Sequence, residues 1–180
     1  MRLIRNSVVS SLLAVFMAGA AAPAFADDPC VGFKWDVSKE RALFAGPAIS
    51  LPAGKDRTTA AAVATNRLYR LHLIPQDQVK FAAPPGKIMP NEGAYAGLAI
   101  LKIPTPGSYR IAIDVPIWID VVSNGKLVPA NDFQGQRGCG APHKIVEFVL
   151  AATQPYVLQF GGATQDSIRM TVTRAPLRKL

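Results

Sequence analysis

From Arg67 onward, apolar residues recur at every second position. Tyr69, Leu71 and Leu73 alternate with Arg70 and His72, and Tyr109, Ile111 and Ile113 alternate with Arg110 and Asp114. Ile117, Ile119 and Val121 alternate with Trp118 and Asp120, and Val146, Phe148 and Leu150 surround Glu147. Tyr156, Leu158 and Phe160 flank Gln159, and Ile168, Met170 and Val172 alternate with Arg169 and Thr171. A period of two places successive side chains on opposite faces, so each run predicts a half-buried strand with one wet face. Leu98 to Ile103 and Val79 to Ala82 predict two less regular strands. Pro104 to Gly107 precedes one strand, and Asn124-Gly125 suits a tight hairpin turn after another. Gly161-Gly162 is expected to join the last two strands. Many short strands between Gly/Pro turns predict a mainly β fold, an antiparallel β-sandwich of jelly-roll type, with an open barrel as second choice. No helical segment separates successive strands, which argues against a parallel α/β sheet.

The N-terminal part breaks this pattern. Asp36 to Phe44 predicts one short helix, with Asp36 capping its first amides and Gly46 at its stop. Trp35, Leu43 and Phe44 would pack it on a sheet. Residues 58–65 are ambiguous between helix and strand, because alanine favours one while threonine and valine favour the other. The Pro-rich stretch Ala82 to Asn91 predicts a surface loop, so residues 27–180 are expected to form a single β-sandwich domain. Residues 1–26 have the three parts of a secretory signal peptide: Arg2 and Arg5, the apolar Val8 to Ala22, and the small-x-small site Ala24-Phe25-Ala26. The apolar run falls short of the roughly 20 residues that span a bilayer. Cleavage would leave the mature chain in a bacterial periplasm or secreted, with no transmembrane segment.

Export changes the reading of charge and cysteine. The chain carries +8, and Arg2 and Arg5 leave with the signal, so the mature charge is +6. Its basic residues are scattered apart from Arg174 to Lys179, and no stripe of arginines interleaved with aromatics appears, so nucleic acid is not an expected partner. A small molecule, a glycan or an envelope component is. The two cysteines, Cys30 and Cys139, predict a disulfide in an oxidising compartment.

Candidate chemistry is sparse. No Gly-x-Ser-x-Gly elbow or phosphate loop appears, and no catalytic residue is assigned. An aromatic beside a carboxylate can grip a sugar or a cationic ligand, which singles out Trp118 and Asp120. A strand tryptophan also commonly closes the edge of a core. The glycine-rich loop Gly135 to His143 could line a ligand mouth with Gln136, Arg137 and His143, or be a disulfide-tethered turn. An iron site of two histidines and one carboxylate would have to use His72, His143 and Glu147, with His72 arriving from a distant strand. On an extended strand His143 and Glu147 are about 13 Å apart.

The segments Val79 to Lys87, Gly107-Ser-Tyr-Arg-Ile111, Trp118 to Gly125, Lys144 to Phe148 and Tyr156 to Gly162 resemble a family of short exported Gram-negative bacterial proteins. That family is often labelled homogentisate 1,2-dioxygenase. The resemblance covers roughly residues 79–174. It implies, as an alternative to a binding or accessory role, a small iron-dependent dioxygenase acting on an aromatic diol such as homogentisate. The large cytosolic enzyme of that name carries a histidine motif that this sequence lacks. The Gly-x-Tyr-x-Ile strand followed by Trp-Ile-Asp-Val also resembles pre-peptidase C-terminal β-sandwich modules, accessory units of secreted enzymes.

Overall fold

The computed structural model describes residues 28–89, 92–152 and 154–176. The signal segment 1–26 lies outside the described residues. Among the described residues, a helix α1 (Ser38–Phe44) precedes twelve strands in two sheets. The first sheet contains β1 (Ile49–Pro52), β3 (Leu68–His72), β6 (Gly107–Ile113), β9 (Asp132–Gly135), β10 (Lys144–Leu150) and β12 (Ser167–Arg174). The second contains β2 (Ala61–Val63), β5 (Tyr95–Leu101), β7 (Trp118–Ser123), β8 (Lys126–Val128) and β11 (Tyr156–Ala163), with β4 (Ile74–Pro75) paired on β5.

The spatial orders are β1-β3-β12-β6-β10-β9 and β2-β5-β11-β7-β8. Setting aside β1, β2, β4 and β9, the remaining eight strands run first-eighth-third-sixth in one sheet and second-seventh-fourth-fifth in the other. This is the order of a jelly roll, two Greek keys folded into facing sheets. The sheets are not purely antiparallel, however: β1 pairs with β3, and β2 with β5, in parallel. Neighbouring parallel strands need a crossover rather than a hairpin. Here β2 lies between β1 and β3 in sequence but sits in the opposite sheet, and that excursion is the crossover.

The alternating apolar residues meet between the sheets, with Leu71, Ile111, Ile113, Leu158, Phe160, Met170 and Val172 fully buried. The opposite faces are not wet as expected. On the first sheet, Phe33, Val37 and Phe44 from the α1 region cover Leu68, Ala112 and Ile145. On the second, Phe81, Ala82 and Ala83 cover Leu98, Val122 and Val157. Arg110, Asp120, Glu147, Gln159 and Thr171, polar positions in the alternation, are consequently buried as well.

The helix starts at Ser38 rather than Asp36, with Val37 at its N-cap, although Asp36 accepts the Ser38 N–H at 2.9 Å; at its other end the Gly46 N–H returns to the Leu43 carbonyl, so it stops as expected. The ambiguous 58–65 region supplies the three-residue strand β2. Asn124 and Gly125 both have positive φ, at 51° and 73°, and form the tight turn from β7 to β8. Two local expectations fail. Val79 to Ala82 forms no strand; it covers the second sheet instead, with the Val79 and Lys80 amides bonded to the Gln76 and Lys55 carbonyls. Gly161-Gly162 does not join two strands but lies inside β11, where the pairing with β5 shifts between Phe160 and Ala163. Gly162 has φ of 73°, and the extra residue makes a bulge. Cys30 and Cys139 form the expected disulfide, pinning the α1 layer to the glycine-rich loop.

Candidate functional site

A cleft opens along the edge where β7 and β8 of one sheet face β9 and β10 of the other. Trp118 stands at the head of β7, and its indole N–H donates to Asp120 Oδ1 at 2.9 Å. They share the strand's outward face, as the alternation requires. Asp120 Oδ2 also accepts from the Gly86 N–H at 3.0 Å and from Gln159 Nε2 at 3.1 Å. The Gln159 amide in turn meets both the N–H and the carbonyl of Ala83, at 3.3 and 3.2 Å. These bonds strap the loop preceding residue 90 across the second sheet. Gly86 permits the approach: a Cβ there would stand 3.0 Å from Asp120 Oδ1 and 3.6 Å from the indole.

The strap carries Lys87 to the tryptophan, with its Nζ 5.7 Å from the ring centroid. From the facing sheet, Lys144 brings its Nζ to 5.1 Å from the same centroid and donates to the Ile117 carbonyl at 2.8 Å. Burial holds the Lys144 pKa below the usual lysine range; repulsion from Lys87 adds to this, and attraction to Asp120 opposes it. Trp118 and Lys144 divide the cleft into two lobes. One, of about 320 Å³, is bounded by Lys87, Met89, Pro116, His143 and Gly162. The other, of about 210 Å³, is apolar, bounded by Ile119, Leu127, Val128, Phe133, Val146 and Phe148.

The fold therefore brings Trp118 and His143 to one lobe and Trp118 and Asp120 to the other. Gln136 and Arg137 line neither. The Gln136 side chain lies against Gly32, its backbone bonds to His143 and Cys139, and Arg137 is exposed. Sequence reasoning missed Lys87 and Lys144, because neither lies near Trp118 in the chain and each sits in an unremarkable local context.

The iron implied by the dioxygenase resemblance does not fit these residues. His72 is exposed on β3, with its Nε2 2.7 Å from Ser50 Oγ. Two strands separate β3 from β10, a span of roughly 14 Å at normal strand spacing. Glu147 faces the α1 side of the first sheet, where Arg110 Nε meets it at 3.2 Å and Asn131 donates at 3.1 Å. Among the described residues, no three His, Cys, Asp or Glu side chains are placed to hold one metal ion.

A larger depression, about 760 Å³, lies elsewhere, over the outer face of the first sheet around Trp35. Its charges are turned on the backbone or on each other: Arg174 donates to the Pro106 carbonyl at 3.2 Å and Asp36 accepts from the Ser38 N–H at 2.9 Å, while Lys34 pairs with Asp132 at 2.6 Å and Arg110 with Glu147 at 3.2 Å. Both cations also cover the Trp35 ring, at 4.8 and 4.9 Å from its centroid. The Trp118 cleft is smaller, but it combines an apolar lobe with two lysines that have no carboxylate ion-paired to them within 4 Å among the described residues.

No family model matches this chain, and no curated protein matches it. Among solved structures, a β-glucosidase from Kluyveromyces marxianus in complex with glucose aligns at 15% identity with a TM-score of 0.32. The alignment covers 46% of this chain and 10% of that one, and it carries no argument about fold or activity.

Proposed function

We propose that this chain is an exported binding or accessory protein and that the cleft at Trp118 is its ligand site. The observation that carries the reading is the two-lobed cleft held around one tryptophan by a strap and a facing strand. Ligand pockets are commonly concave and largely apolar, with a few polar groups that orient the guest. Two further features support export to a bacterial periplasm or beyond: the tripartite N-terminal segment, which ends in a small-x-small site, and the Cys30–Cys139 disulfide. Among the described residues, no helix is long and apolar enough to cross a membrane.

The test is to express the full-length chain in a Gram-negative host and recover the processed protein from the periplasm. Tryptophan fluorescence is then followed against a panel of small organic acids, alcohols, amines and oligosaccharides. A saturable change that disappears in Trp118→Phe and persists in Trp35→Phe supports the reading. Multiple-turnover conversion of any panel member, aromatic diols included, would contradict it.

A further inference from the structure

We propose that the ligand of the Trp118 cleft is an amphiphilic organic anion, with its apolar body in the lobe between Leu127, Phe133 and Phe148 and its acidic group at Lys144 and Lys87. The inference rests on the binding reading above and goes on to fix the chemistry of the guest. Lys144 is the pivot, because it borders both lobes. One ligand can therefore bury a hydrocarbon part on one side of it and present a charge to it from the other.

The sign of that charge follows from the groups facing the cleft. Lys87 comes from the strap, Lys144 from β10, His143 from the residue before β10, and Asp120 from β7. Asp120 already accepts from Trp118, Gly86 and Gln159, so it is committed to holding the strap. Lys144 spends one donor on the Ile117 carbonyl and has donors left. Lys87 and Lys144 both line the larger lobe, with their ammonium groups 5.7 and 5.1 Å from one indole centroid, and an acid bound in that lobe offsets their mutual repulsion. A cationic or neutral guest would leave it in place. The apolar lobe, at about 210 Å³, suits a single short chain or ring rather than a two-chain lipid.

Isothermal titration calorimetry on the processed protein tests this with decanoate below its micelle concentration. The matched probes are decanol, decyltrimethylammonium, acetate and vesicles of phosphatidylglycerol. Decanoate is expected to bind at one site per chain, at least tenfold more tightly than decanol or the cation, and acetate far more weakly. Lys144→Gln and Lys87→Gln should each weaken decanoate about tenfold, while Lys144→Arg restores most of the loss. Leu127→Ser should weaken decanoate without affecting the melting temperature. Equal affinity for decanol and decanoate would overturn the charge assignment, and binding confined to the vesicles would overturn the single-chain guest. If decanoate fails while an oligosaccharide still perturbs Trp118, this inference falls and the binding reading stands. If no probe perturbs Trp118, both fall.

Discussion

Single residues carry the polar logic of the molecule. The period-two pattern assigned Arg110 and Glu147 to a solvent face, and both are buried beneath the α1 layer. Their ion pair is largely withdrawn from water at the base of the Trp35 depression, with side-chain exposures of 8% and 4%. Removing one partner of a buried pair strands the other charge, at a cost of about 3–5 kcal/mol. Glu147→Ala should therefore lower unfolding stability by about that amount in urea titrations. A loss under about 1 kcal/mol would show that water reaches Arg110 in the folded protein. Asp56 offers a test on the exposed side. Its Oδ1 accepts from the Thr58 and Thr59 amides and hydroxyls at 2.7–3.0 Å, and the Thr58 hydroxyl leads in lowering its pKa from 3.8 to about 2. A carboxyl depressed on folding stabilises above its unfolded value, and that contribution fades as pH falls through the folded one. The Thr59 amide signal should thus titrate with a midpoint near pH 2, and a midpoint near 4 would contradict the assignment. The cleft was partly legible at this scale. Trp118 and Asp120 stood out as large and charged groups on one strand face, but their lysine neighbours are set by tertiary packing alone.

At the scale of elements, the strands were readable because one face of each meets the other sheet, and burial on one face imprints a period of two. What covers the outer faces is readable only for the helix region, from which Trp35 and Phe44 pack on the first sheet as the sequence predicts. The other covering segments, residues 30–34 and 79–86, are short and irregular and leave no period in the sequence. For the same reason, Val79 to Ala82 reads as a strand in the sequence: an apolar run in a covering loop looks like one in a ladder. The Gly161-Gly162 pair resembles a turn because bulges and turns make the same demand for positive φ. The strap over the second sheet depends on Gln159 and Asp120 rather than on strand pairing. Gln159→Leu should raise hydrogen-exchange rates at Ala83 and Gly86 by tenfold or more, with β11 itself unchanged. Unaltered protection at Gly86 would mean that apolar contacts alone hold the strap.

The whole molecule is a jelly roll with an extra layer on each face, fastened on one side by a disulfide. Cys30 and Cys139 are 109 residues apart, so the bridge constrains most of the described chain when it unfolds. In the chain-entropy model, closing so long a loop is worth on the order of 4–5 kcal/mol. The Cys30→Ser/Cys139→Ser variant should lose about that much stability, whereas a loss below about 1 kcal/mol would contradict the entropic account. On the proposed function, this scaffold holds Trp118 as the partition between the two lobes of a ligand site. The chain contains two tryptophans, so its amide NMR spectrum carries two indole N–H signals, from Trp118 and Trp35. In a titration with decanoate, the Trp118 signal, whose proton is bonded to Asp120, is predicted to move in a saturable way while that of Trp35 stays fixed. Movement of the Trp35 signal alone would place the site in the other depression and contradict the account.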